Sequence, residues 1–251
     1  MEIDVGTMNS HKFKTVTNIY TGEETDSNIV NAKEIEIIKR LVTKDDIVLD
    51  IGANVGFMTI QLAQLAKHVY AFEPSPYNFK QLETNTQHLD NVTTYEMAVS
   101  NTTGFNTLYI CPHDNGMNRL YDSKWCKGGD QIRVSTVTID FVHKNEYVYL
   151  DNKKINFIKL DVEGYEYKVL QGMRQLLQRD HPTMLMEFHP PSIEEAGDSP
   201  RTIYDLLKNE FGYNDPINCN NNDCMLESYN ELDKQTRDIP AVNILWQYNH
   251  N

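Results

Sequence analysis

The chain is poor in cysteine, tryptophan and basic residues. Cysteine occurs four times and tryptophan twice in 251 residues. Cys111, Cys126, Cys219 and Cys224 do not form the short paired spacings of a zinc or redox framework. Cys219 and Cys224 stand in an Asn-rich loop with no histidine nearby, which argues against zinc there. Lys and Arg number 23 against 36 Asp and Glu, for a formal net charge of −13. That shortage of cations argues against a broad nucleic-acid surface, because phosphate contacts need clustered Lys and Arg. No apolar run approaches the length of a bilayer span. The stretch Met1 to Gly6 lacks the basic-then-apolar character of a secretory leader. A cytoplasmic protein with reduced thiols and no membrane span is therefore expected. Two glycosylation-like triplets, at Asn91 and Asn101, are read as chance matches on the same ground.

A hydrophobic fraction of 40% over this length is enough for a sizeable core without disulfide or metal staples. The pattern is read as one domain over residues 1–251, with a polar N-terminal segment or lid (1–29) and a leading helix (30–44). A core follows over 45–251, carrying a β-rich insertion near 101–140. The core opens with an apolar run, Ile47 to Ile51, of the kind that forms a buried strand. A turn with Gly52 and Gly56 follows, then a helix-compatible run from Phe57 to Ala66. His68–Phe72, a helix from Tyr77 to Leu89 and a strand from Val92 to Val99 continue the β-α-β-α-β order of a parallel sheet. Within the insertion, Thr107–Cys111 and Gln131–Ile139 read as strands. Ile155–Leu160 and Pro182–Phe188 supply two more core strands, with a helix between them. Another helix, from Ile203 to Glu210, precedes a closing antiparallel pair drawn from Phe211–Ile217 and Ala241–Trp246.

In such a sheet, ligands bind beyond the carboxyl ends of the strands. Four strands end there on chemically useful residues: Asp50/Gly52, Glu73, Asp161/Glu163 and Glu187/His189. The turn is Asp-x-Gly-x-Asn-x-Gly, with Asn54 and Phe57 where dinucleotide binders carry glycine. An asparagine side chain would crowd a pyrophosphate, so a nucleoside ligand without phosphates, such as S-adenosylmethionine, fits better. Glu73 follows Gly52 at about the spacing where an acidic residue meets ribose hydroxyls. Its carboxylate can accept two hydrogen bonds from a cis-diol.

The glycine turn, Glu73-Pro74-Ser75-Pro76, Ala98-Val99-Ser100 and above all Ile158-Lys159-Leu160-Asp161-Val162-Glu163-Gly164-Tyr165-Glu166 resemble the FkbM family of S-adenosylmethionine-dependent methyltransferases. The resemblance covers about residues 45–190. It implies a Rossmann-like methyltransferase fold, a mostly parallel seven-stranded sheet flanked by helices. The implied activity is O-methylation of a hydroxyl on a sugar, glycan or small natural product. Carried over by position, Asp50, Gly52, Ala53, Asn54 and Gly56 would hold the methionine half of the cofactor. Glu73 would take the ribose, with Pro74 and Ser75 beside it, and Met97 and Ala98 would border adenine. Many relatives carry Asn where this chain has Met97, so a side-chain bond to adenine is not implied at that position.

Proton transfer has three candidate residues. Asp161 either contacts the cofactor's amine or acts as base; Glu163 is either a base or a helix-start carboxylate favoured by the dipole. His189 titrates near neutrality but also precedes Pro190-Pro191, which would hold it as a rigid loop residue. Convergence of Asp161, Glu163, Glu187 and His189 on a divalent cation is a less favoured arrangement, and no metal residue is assigned. His113, Asp114, Asn118, Arg119, Tyr121 and Trp125 of the insertion are candidate acceptor contacts. Two other functions remain open: a non-catalytic module that binds the cofactor, and a nucleic-acid methyltransferase, which the acidity disfavours.

Overall fold

The computed structural model describes residues 16–17, 24–25, 32–112, 114–142, 153–221, 223–239 and 242–248. Val16–Thr17 (β1) and Glu24–Thr25 (β2) pair antiparallel. The rest of the N-terminal segment, and His113, lie outside the described residues. Ala32–Leu41 forms α1, with Ile37 and Ile38 buried, Glu34 in its first turn and Lys39 and Arg40 in its last, as the helix dipole favours. The core then alternates Ile47–Ile51 (β3), Phe57–Leu65 (α2), His68–Phe72 (β4), Pro76–Thr86 (α3) and Val92–Tyr95 (β5). Ala98–Val99 (β6), Gly104–Tyr109 (β7) and Gln131–Val137 (β8) follow, then a short helix Ile139–Val142 (α4). Phe157–Leu160 (β9), Glu166–Gln171 (α5), Arg174–Asp180 (α6), Thr183–Glu187 (β10), Pro190–Glu195 (α7) and Pro200–Tyr204 (α8) come next. Ile217–Asn218 (β11), Cys224–Met225 (β12), Tyr229–Thr236 (α9) and Asn243–Trp246 (β13) complete the described chain.

Eight strands make the main sheet, in the order β12-β11-β13-β10-β9-β3-β4-β5. β10, β9, β3, β4 and β5 run parallel; β13 joins β10 antiparallel, and β11 joins β13 antiparallel. This is the expected mostly parallel sheet with an antiparallel close, but the strand read as Phe211–Ile217 is only Ile217–Asn218, and β12 adds a two-residue edge. β3 lies between β9 and β4 and is buried along its whole length, which is why it reads as an apolar run broken only by the buried Asp50. Strand alternation sorts the core into two faces. Leu49, Ile51, Ile158, Leu160, Met184 and Met186 point to one, and Val48, Phe157, Leu185 and Leu245 to the other, beneath α1 and α2.

Four local expectations are corrected. The strand read as Val92–Val99 is two strands: β5 ends at Tyr95, and β6 leaves to join β8 and β7 in a separate three-stranded sheet. The single helix after β9 is broken at Gly172, which packs against Ser100: a Cβ there would sit 1.9 Å from the Ser100 carbonyl oxygen. The Pro190-Pro191 segment starts helix α7 rather than a rigid loop, because proline suits the first helical position. Residues 205–210 continue α8 as a π-helical turn.

The cysteine expectation is also corrected: Cys111 and Cys126 form a disulfide, while Cys219 and Cys224 are free. The antiparallel β7–β8 ribbon turns the intervening loop back on itself, and its two ends meet with Cα atoms 4.0 Å apart. Among the described residues, no helix is long and apolar enough to cross a membrane. A crosslink closing a loop with a sequence separation of 15 is worth about 3 kcal/mol by chain entropy. Cys111→Ser should therefore lower unfolding stability by about that amount under non-reducing conditions. Denaturant titration measures this, and an unchanged midpoint would show that the bond does not contribute.

Candidate active site

The glycine turn is built by contact rather than by flexibility. Gly52, Asn54 and Gly56 have φ of 84°, 50° and 91°, and the Gly52 and Ala53 amides both donate to the Phe72 carbonyl at 3.0 Å. A Cβ on Gly52 would lie 1.7 Å from the Asp161 carbonyl oxygen, so only glycine lets the ends of β3 and β9 approach this closely. A Cβ on Gly56 would lie 2.7 Å from the Leu82 side chain of α3.

Glu73, at the end of β4, is 5% exposed. One carboxylate oxygen accepts from the Ser75 amide at 2.9 Å and the other from the Asn54 amide at 3.0 Å. Burial nevertheless pushes its pKa up to about 7, against the pull of those two amides. Each oxygen retains lone-pair capacity for a further donor.

A cavity of about 260 Å³ lies over these strand ends. Of the residues read as cofactor contacts, Gly52, Asn54, Glu73, Pro74, Met97, Ala98 and Asp161 line it. Glu163 lines it too, and residues 114–118 of the insertion form its far wall. The Asn115 carbonyl accepts from Asn78 of α3 at 3.0 Å, which ties that wall to the cofactor side. Asp50, Ala53, Gly56 and Ser75 stand outside the cavity lining. Asp50 is 1% exposed and takes the Thr59 hydroxyl at 2.6 Å, with burial raising its pKa to about 6. Ser75 lines a neighbouring cavity with Tyr77 and Ile132.

The opposite side of the cavity is acidic. Asp161 pairs with Lys159 at 2.6 Å, and that lysine is 3% exposed. Asp161, Glu34 and Asp50 together raise the Lys159 pKa despite its burial, so the ammonium stays charged. Glu163 adopts φ 58° and pairs with Arg119 at 3.0 Å; burial and Asp161 lift its pKa to about 8. Glu166 caps this turn, accepting from the Gly164 amide at 3.1 Å, and burial lifts it to about 7. Carboxylate oxygens of Asp161, Glu163 and Glu187 lie within 4.8 Å of one another. Acids at such spacing are common without an ion, and here Lys159 and Arg119 already supply countercharge.

His189 does not join this group. Its Nδ1 lies 2.7 Å from the Ser192 hydroxyl at the start of α7, and burial with nearby Arg119 and Lys124 lowers its pKa. Arg119, read as an acceptor contact, is instead 2% exposed and reaches Glu163, Tyr121, Ser123 and Glu195. It fastens the insertion onto the site. The Tyr121 hydroxyl donates to the Glu163 carbonyl at 2.8 Å, whereas Trp125 is 50% exposed. Lys159, read only as part of the Ile158–Glu166 segment, and Glu34 were given no site role by the sequence. A lysine inside an apolar strand was the available signal for the first; Glu34 looks like an ordinary helix-start acid.

The cavity suits a nucleoside ligand of the S-adenosylmethionine type. A paired-amide carboxylate, a turn admitting only glycine, and the buried, unpartnered side-chain oxygen of Asn54 meet at one wall. Sheet order and strand-end site together define an α/β fold of the methyltransferase class. Residues 50–214 match the family model described as the methyltransferase FkbM domain, and the chain belongs to that family.

Two curated relatives share this region. The chain is 26% identical over 175 residues to hexuronic acid methyltransferase AglP of Haloferax volcanii, covering 69% of this chain and 66% of that protein. It is 25% identical over 187 residues to 2-O-methyltransferase NoeI of Sinorhizobium fredii, covering 68% and 75% respectively. A solved structure of methyltransferase FkbM from Methylobacillus flagellatus KT superposes with a TM-score of 0.47 at 16% identity, covering 82% of this chain and 44% of that one.

Two outcomes are expected from the buried acids. Glu73→Gln should weaken S-adenosylhomocysteine binding by about 10-fold or more, the worth of a charge-assisted hydrogen bond, as calorimetry would read. Acids whose folded pKa is raised bind more protons in the native state than in the unfolded chain. The ligand-free protein should therefore lose stability as pH rises from about 5 to about 8, through the raised values of Asp50, Glu73, Glu166 and Glu163. A melting temperature that climbs across this range would contradict that assignment.

Proposed function

We propose that the protein is an S-adenosylmethionine-dependent O-methyltransferase acting on a hydroxyl of a sugar or glycan. The observation that carries this reading is the pairing of two walls across one cavity. Gly52, Asn54 and Glu73 offer a nucleoside site, and Asp161 and Glu163 face it with acidic groups. The two curated relatives, by their names a hexuronic acid methyltransferase and a 2-O-methyltransferase, support a sugar as acceptor. The acidic strand ends and the net charge of −13 favour a small molecule or glycan over a nucleic acid.

The bound cofactor supplies an electrophilic methyl group on a sulfonium. The chain's own part is orientation and proton handling. Glu73 holds the ribose, Gly52 and Asn54 border the methionine portion, and Met97 and Ala98 form the apolar border for adenine. The wall at 114–118 screens the cavity from water, and the strand-end carboxylates receive the proton as the hydroxyl is methylated.

Incubation with S-adenosylmethionine and a panel of neutral sugars, amino sugars and hexuronic acids tests this. Mass spectrometry should find S-adenosylhomocysteine formed in equal amount to an O-methylated sugar. Tight cofactor binding with no product from any acceptor would support the non-catalytic reading instead, and methylation of RNA alone would overturn the sugar assignment.

Asp161→Asn is expected to lose turnover and also to lower stability by about 3 kcal/mol, because it leaves the buried Lys159 ammonium without its carboxylate. Measuring both separates the two roles, and full stability would show that Lys159 finds another partner.

A further inference from the structure

The three strand-end carboxylates are not equivalent. Asp161 is neutralised by Lys159 at 2.6 Å and Glu163 by Arg119 at 3.0 Å. Among the described residues, Glu187 has neither an ion-pair nor a hydrogen-bond partner, yet its carboxylate lies within 4.8 Å of the other two. It ends β10, and strand alternation places it on the same sheet face as Lys159 and Asp161. It is therefore the carboxylate of this group whose lone pairs are not already committed.

We propose that Glu187 is the group that takes the proton from the acceptor hydroxyl, an inference that rests on the O-methyl-transfer reading. In that step the acceptor oxygen forms a bond to the methyl carbon as the carbon–sulfur bond breaks, and its electron pair stays on sulfur to give S-adenosylhomocysteine. The hydroxyl proton passes to the Glu187 carboxylate and from there to solvent. Asp161 and Glu163 are positioning residues in this account: each holds a cation in place beside Glu187.

The groups facing Glu187 set its starting state. Asp161, Glu163 and Glu166 repel its charge, Lys159 attracts it from a distance, and burial disfavours the ionised form, so its pKa stands well above the ordinary carboxylate value. Behind them, Arg119 holds Glu163, and Glu34 accepts from Asn243, the β13 residue paired with Glu187. A sulfonium entering this pocket adds positive charge beside the cluster and drives the Glu187 proton off, leaving the carboxylate ready to act as base. S-adenosylhomocysteine, which lacks that charge, does not.

Calorimetry with each cofactor form, in two buffers of different ionisation enthalpy near neutral pH, counts the protons released on binding. Wild type should release more protons with S-adenosylmethionine than with S-adenosylhomocysteine. Glu187→Gln should abolish that excess while binding S-adenosylhomocysteine within about threefold of wild type, and should lower kcat by about 100-fold or more with little change in acceptor KM. Glu187→Asp, which keeps the acid, should restore part of both, and Glu187→Ala serves as a second neutral variant. An excess that survives in Glu187→Gln would overturn the proposal and return the role to Glu163 or Asp161. Turnover abolished by chelator and restored by Mg²⁺ would overturn it too, by making the cluster a cation site. A wild type that methylates no sugar counts against the acceptor reading alone, since the proton count still decides whether Glu187 exchanges its proton with the cofactor's charge.

Discussion

A single buried ammonium underlies the site. Lys159 stands in the middle of β9, 3% exposed, on the sheet face that α1 and α2 cover. A cation in that position is tolerated only if carboxylates surround it. Asp161 does so directly at 2.6 Å, and Asp50 and Glu34 do so at longer range. The same lysine therefore permits acids to gather at the ends of β3, β9 and β10 without their mutual repulsion opening the sheet. The tight contact between Gly52 and the Asp161 carbonyl then fixes how far apart β3 and β9 can sit. Cofactor wall and acidic wall are held in register by these two constraints.

The insertion adds a second cation. Arg119 comes from a loop between β7 and β8, is 2% exposed, and spans Glu163 on one side and Glu195 on the other. Ser123 and the Lys124 amide bind the same Glu195, at 3.1 and 2.9 Å. The loop that walls the cavity is thus held at its ends by a disulfide and at its middle by charge. These polar and covalent ties add to the apolar packing of the insertion, in which Leu108, Ile110 and Val134 are buried and Leu120 and Tyr121 lean on the main core.

Strands β3, β4 and β9 were legible in the sequence because each is almost fully buried and reads as a mostly apolar run between turn residues. Ile47–Ile51, His68–Phe72 and the strand before Asp161 all fall where that pattern places them. Of the cavity-lining residues, Gly52, Glu73 and Asp161 were legible because strand ends in a parallel sheet share one edge, whereas Asn54, Met97 and Ala98 were named through the family resemblance. Three features were not. The split of Val92–Val99 depends on β6 finding β8, a contact set by chain distant in sequence. The Cys111–Cys126 bond depends on how the insertion folds back, which spacing does not encode. Arg119 looked like a ligand contact because burial of a loop arginine leaves no periodic trace; only its partners Glu163 and Glu195 reveal its use.

The central claim is that one cavity holds the cofactor with its reacting sulfur turned toward the strand-end acids. A crystal structure with S-adenosylhomocysteine tests it most directly. The account predicts both ribose hydroxyls within hydrogen-bond distance of the Glu73 carboxylate and the sulfur on the side of Asp161, Glu163 and Glu187. Ribose bound away from Glu73, or a sulfur facing away from those three carboxylates, would contradict it.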